Sequence, residues 1–142
     1  HDYNVNFAKL CQEKGVENFF LLSSMNADIH SRFLYNRVKA ETEQSIMALG
    51  FKQLVILRPS LLLGKHKGRP LESIGQKAFK LISPLVSESL SLHPISAKRV
   101  ASAMAMSAHD VYQRNKYRNE PAIQTTDIIE NKQMLAMTKV KK

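Results

Sequence analysis

Apolar positions along the chain fall into two patterns, one helical and one extended. Tyr3, Phe7, Leu10 and Cys11 recur at helical spacing and predict an amphipathic helix over residues 3–14, stopped by Gly15. Residues 16–24 read as a strand, and the unbroken apolar run Phe19-Phe20-Leu21-Leu22 suits a parallel strand covered on both faces. A polar stretch over 26–31 follows, and Ser31 is a candidate cap for a helix over 32–49 that Gly50 ends. Gln53 to Arg58 reads as a second buried strand, closed by Pro59, with the apolar run resuming at Leu61 and reaching Gly64.

Beyond that point the signals are weaker. Lys65, His66, Lys67 and Arg69 form a basic loop, and Pro70 fits the first turn of a helix over 71–82. Leu90, Leu92 and Ile95 suggest a short extended piece, and Ser96 a cap for a helix through Ala108. A last strand is predicted over 122–125, with Thr126 or Asp127 capping a final helix through Met137. Helix, strand, helix, strand, helix is the order of an α/β fold with right-handed crossovers. Ligands of such sheets sit beyond the carboxyl ends of the strands, where Ser23, Ser24, Pro59 and Ser60 fall.

Composition adds bounds. The chain has 142 residues, 44% hydrophobic and 23% charged, which is enough for one domain with a real core. No apolar run has the length of a membrane span, so no membrane partner is expected. The single cysteine, Cys11, cannot form an internal disulfide and is expected on the inner face of the first helix. It also favours a reducing, cytoplasmic setting. The net charge of +9 raises the question of nucleic acid, but the basic residues are dispersed and not interleaved with aromatics. A solvated basic surface is the simpler reading. The chain starts at His1 without a secretory signal, which suggests a processed, truncated or partly observed polypeptide.

The candidate chemistry lies between the two strands. Tyr35 and Lys39 stand at i and i+4 and share one helix face. An ammonium beside a phenol favours the phenolate, making tyrosine a usable general acid or base. A serine at the preceding strand end could hydrogen-bond a substrate oxygen. The spacing alone is weak, since Tyr112 and Lys116 repeat it, but no strand ending in serine precedes that second pair. His1, His30, His66, His93 and His109 have no metal-ligand spacing.

With its context the first pair resembles a known family. Phe20-Leu-Leu-Ser-Ser-Met25, Phe33-Leu-Tyr-Asn-Arg-Val-Lys-Ala-Glu41, Leu57-Arg-Pro-Ser-Leu-Leu-Leu-Gly64 and Ile129-Glu-Asn-Lys132 resemble the C-terminal portion of a short-chain dehydrogenase/reductase of the extended or atypical kind. Within it the chain looks most like the Tat-interactive-protein-like oxidoreductases, related to nucleotide-sugar epimerases.

The resemblance implies the C-terminal part of a Rossmann-like doubly wound parallel sheet, one domain over 1–142 with the substrate side at about 65–142. It implies an enzyme, an NAD(P)-dependent oxidoreductase acting on a small carbonyl or alcohol substrate. Tyr35 would be the acid/base, Lys39 would tune it and hold the cofactor ribose, and Ser24, or Ser23, would orient the carbonyl. Pro59, Ser60 and Leu62 would lie against the nicotinamide end, with Arg69 near the cofactor. NADP is favoured over NAD on the resemblance alone. A non-catalytic NAD(P)-sensing or protein-binding module on the same fold is the alternative. None of the five glycines forms the family's phosphate-binding fingerprint, so this chain alone is expected to be inactive and to bind no cofactor usefully.

Overall fold

The computed structural model describes residues 1–63, 92–117 and 124–139. Helix α1 (Asp2–Glu13) leads to strand β1 (Asn18–Leu22), helix α2 (Leu34–Met47) and strand β2 (Gln53–Arg58). Two short strands, β3 (Leu62–Leu63) and β4 (Ile95–Ser96), are followed by helix α3 (Ala97–Lys116), strand β5 (Thr125–Glu130) and helix α4 (Asn131–Met137). The fold is α/β. Its main sheet is parallel in the order β1-β2-β5, and β3 pairs with β4 in a separate parallel ladder.

β2 is central, and its side chains explain the layering. Leu54 and Ile56 point to one face, where they pack with Val5 and Ala8 of α1, Leu21 of β1 and Ile46 of α2. Val55 and Leu57 point to the other, among Val100, Ala103 and Val111 of α3 and Met134 and Leu135 of α4. A strand buried on both faces cannot alternate apolar with polar, which is why its sequence is a continuous apolar run. Cys11 is half-buried against the first of these cores beside Val5 and Ala8, whereas Tyr3, Phe7 and Leu10, which the helical pattern grouped with it, are exposed.

Several boundaries differ from the sequence expectation. α2 begins at Leu34, because the Ser31 hydroxyl accepts from Phe33 N–H (3.2 Å) and Asn36 Nδ2 (3.3 Å) and so closes a turn ahead of the helix. Ser96 does cap α3, accepting from Arg99 N–H at 3.2 Å, but the helix runs on to Lys116, carried past Ala108 by Val111 packed on the core. The expected strand over 122–125 is instead β5, and Thr126 and Asp127 are strand residues, not caps. Parallel register with β2, from Gln53 beside Thr125 to Arg58 beside Glu130, overrides the capping preference of those side chains. The cap of α4 is Glu130, in a reciprocal capping box with Gln133. The expected basic loop and the helix over 71–82 lie outside the described residues.

An ion network ties off the carboxyl end of β2. Arg58 donates from Nε (3.0 Å) and Nη2 (2.5 Å) to the two carboxylate oxygens of Glu43, and from Nη1 to Glu130 at 3.1 Å. Glu43 is 2% exposed, so this pair replaces lost hydration for a carboxylate on the inner face of α2. The hydrogen bond to Glu43 raises the Arg58 pKa, against the opposing effect of burial. A raised pKa on a base means that the stabilisation is complete below the ordinary arginine range and is lost only as pH rises through it.

Arg58→Met should therefore destabilise the chain by about 3 kcal/mol or more, because it strands a buried carboxylate. Adding Glu43→Leu should recover most of that loss in urea unfolding. A single-variant loss below about 1 kcal/mol would show that the pair is solvent-compensated.

Candidate functional site

The carboxyl ends of β1 and β2 are held together beyond the last ladder residues. Ser23 N–H donates to the Leu57 carbonyl and Met25 N–H to the Pro59 carbonyl, each at 2.8 Å. Asn26 then turns the chain in the left-handed region at φ 62°, a conformation its short amide side chain tolerates. The loop to α2 folds back on itself. His30 N–H donates to Asp28 Oδ1 at 2.9 Å, and Arg37 Nη1 donates to the Ser31 carbonyl at 2.8 Å.

This arrangement buries two hydroxyls. Ser23 is 6% and Ser24 9% exposed, and among the described residues neither Oγ has a hydrogen-bond partner. A buried hydroxyl without a partner costs about 1–3 kcal/mol, so a pair of them side by side at a strand end calls for an explanation. Both sit where open α/β sheets receive ligands.

Tyr35 and Lys39 lie on α2 at the same end of the sheet. Tyr35 is largely exposed, and the Lys39 ammonium stands 5.8 Å from the centroid of its ring, within cation–π range. The Tyr35 hydroxyl does not reach Ser24, whose Oγ is unbonded. The fold thus brings Ser23, Ser24, Tyr35 and Lys39 to one end of the sheet without joining them in a hydrogen-bonded set.

The turn after β2 is fixed from elsewhere. Pro59 is buried, and Ser60 N–H donates to Asn131 Oδ1 at 3.1 Å. Ser60 Oγ donates to the His93 carbonyl at 2.6 Å, and Asn131 Nδ2 donates to the same carbonyl at 2.7 Å. The Ser60 hydroxyl proton is thus already committed inside the protein. Leu62 packs its side chain against the core. Arg69 lies outside the described residues. Asn131, 1% exposed, is the organising residue that sequence reasoning passed over. The sequence pattern sets it inside the final helix, in the stretch Ile129-Glu-Asn-Lys132, with no sign of burial until the turn of β2 is seen to fold onto it. Among the described residues no group of three or more potential metal ligands gathers.

Curated relatives overlap the chain in part. A protein named "Protein fmp52, mitochondrial" from Emericella nidulans is 42% identical over 77 residues, 54% of this chain and 33% of the relative. "Protein FMP52, mitochondrial" from Kluyveromyces lactis is 42% identical over 83 residues, 58% of this chain and 37% of the relative. The protein of that name from Saccharomyces cerevisiae is 41% identical over 75 residues, 53% of this chain and 32% of the relative. The chain thus spans about a third of the length of the curated relatives it matches. No family model matches.

These matches correct the expectations drawn from the resemblance. The relatives carry the FMP52 name and no dehydrogenase/reductase or epimerase name, which overturns the assignment to that family and with it the Ser24–Tyr35–Lys39 oxidoreductase reading. The physical reason is that Tyr-x-x-x-Lys sets only two side chains on one helix face, a geometry Tyr112 and Lys116 reproduce on α3. The relatives are named mitochondrial, which overturns the cytoplasmic expectation as well. A lone cysteine reports a reducing setting and does not separate one reducing compartment from another.

Because both serine hydroxyls are buried and unpartnered, Ser23→Ala with Ser24→Ala should leave the melting temperature of the ligand-free chain unchanged or raise it by a few degrees. A drop of several degrees in a thermal melt would mean that the hydroxyls serve the fold itself.

Proposed function

We propose that this chain is the ligand-binding end of a mitochondrial nucleotide-binding module. In this reading the parallel sheet continues beyond β1 as a Rossmann-like doubly wound sheet, with residues 65–142 on the ligand side of the same domain. The ligand is a nicotinamide dinucleotide, bound for recognition or sensing at the carboxyl ends of β1 and β2. The observation that carries the reading is the pair of buried, unpartnered hydroxyls of Ser23 and Ser24.

Continuation of the sheet is supported by what α1 and β1 leave uncovered. Tyr3 (86%), Phe7 (56%) and Leu10 (58%) form an exposed apolar stripe at helical spacing, and among the described residues β1 pairs only with β2. Burying such a stripe and pairing such an edge is what further strands and helices of an α/β sheet accomplish. The mitochondrial setting rests on the names of the relatives.

The residues at this end fit the hydrogen-bonding half of such a ligand. Ser23 and Ser24 offer two donors in a dry setting, where a hydrogen bond replaces no competing water. The Tyr35 phenol and the Lys39 ammonium offer further donors at the rim, suited to ribose hydroxyls. A bound dinucleotide would supply a redox-active nicotinamide ring. The role assigned to this chain's own side chains is to bind and orient it. Gly15 and Gly50, the two glycines among the described residues, end α1 and α2 with positive φ and are not placed to cradle phosphates.

Titration calorimetry of the full-length protein with NADPH and NADH tests the reading. Binding of at least one in the micromolar range is expected, and the Ser23→Ala/Ser24→Ala variant should weaken it roughly tenfold, the equivalent of about 1.4 kcal/mol. No heat with either dinucleotide, or equal affinity in the variant, overturns it.

A further inference from the structure

The turn that ends β2 is held by a side-chain amide at the start of α4, and the peptide it holds reaches back to the buried serines. Asn131 is the first residue of α4 and is 1% exposed. Its Nδ2 donates to the His93 carbonyl at 2.7 Å, and its Oδ1 accepts from Ser60 N–H at 3.1 Å. A carbonyl on one side and an N–H on the other fix which way the amide faces. The backbone that carries Asn131 is anchored as well. Glu130 caps α4 in the reciprocal box with Gln133 and accepts from Arg58 at 3.1 Å.

Ser60 N–H and the Pro59 carbonyl belong to one peptide group. That group is planar and trans, so its N–H and C=O point in opposite directions. The N–H is taken by Asn131, and the C=O accepts from Met25 N–H at 2.8 Å. A single rigid plane therefore links α4 to the chain beyond β1. Tilting the plane strains both bonds at once, and each bond polarises the other.

Ser24 stands between two anchors of its own backbone. Ser23 N–H donates to the Leu57 carbonyl and Met25 N–H to the Pro59 carbonyl. The first anchor continues the β1–β2 ladder, whose last pair is Leu22 beside Leu57. The second is set from α4 through the shared peptide plane. On the reading that the Ser23 and Ser24 hydroxyls receive the ligand, we propose that Asn131 is a positioning residue for that end of the sheet. It fixes the Pro59–Ser60 peptide plane and thereby sets the place of the Ser24 hydroxyl, without touching the ligand itself.

Hydrogen exchange and titration calorimetry of the full-length protein test this. In Asn131→Ala, Met25 N–H should exchange roughly tenfold faster, while amides within the β1–β2 ladder keep their rates. A residue that only stabilised the fold would speed all of them together. Affinity for NADPH or NADH should fall roughly tenfold in Asn131→Ala, and by no further factor where Ser23→Ala/Ser24→Ala is already present. Should Asn131→Ala fail to fold, the unaltered protein answers the same question. Ser60 and Met25 N–H, bonded through one plane, should open as a unit, with protection factors within about threefold of each other. Unchanged Met25 exchange, uniform acceleration, opening of Met25 apart from Ser60, or additive losses of affinity overturns the proposal. Weakened binding in the serine variant with full affinity in Asn131→Ala sinks the positioning role alone and leaves the ligand reading standing. If neither dinucleotide binds, the ligand reading fails, and the exchange pattern still decides whether Asn131 holds Ser24 in place.

Discussion

Everything described in this protein is referred to β2. It pairs in parallel with β1 on one side and β5 on the other, and its alternate side chains are the meeting point of two separate cores. Leu54, Val55, Ile56 and Leu57 are each 2% exposed or less, so the hydrophobic stabilisation of both helical layers converges on four consecutive residues. A strand placed this way has no solvent face on which to end. Arg58 resolves that by carrying the first charge out of the core on a side chain bonded to both α2 and the end of β5.

That termination also shapes the site. Where β2 stops, Pro59 and Ser60 turn the chain, and Asn131 fixes the turn by bonding Ser60 and the His93 carbonyl together. β1 runs on beside the turn, with Ser23 N–H bonded to the Leu57 carbonyl and Met25 N–H to the Pro59 carbonyl, so the backbone that carries the two buried serines is itself held by hydrogen bonds. This end of the sheet is thus organised before any ligand arrives, a condition for tight and selective binding.

Much of the architecture was legible in the residues because it depends on local patterns. The continuous apolar runs at Phe19 and Leu54 announced parallel strands, the helical recurrence of Tyr3, Phe7 and Leu10 announced α1, and Ser96 announced the start of α3. The errors fell where tertiary pairing competes with local preference. Thr126 and Asp127 favour caps, yet the register with β2 makes them strand. The functional reading erred for a related reason. Tyr35 and Lys39 form a motif that one turn of helix suffices to create, and the relatives that overlap the chain are named FMP52 mitochondrial proteins instead of the family the motif suggested.

By itself, then, the order of residues determined the class of the fold, the identity of its buried strands and the end of the sheet where Ser23 and Ser24 lie, because periodicity and strand ends are properties of neighbouring residues. Only the tertiary structure decided which polar groups are spent and which are left over. Ser60 and Asn131 are consumed by contacts across 71 positions, Glu43 is neutralised from β2, and the Ser23 and Ser24 hydroxyls are left without partners. Hydrogen-bond satisfaction is a relation between segments distant in the chain, and no pattern within either segment encodes it.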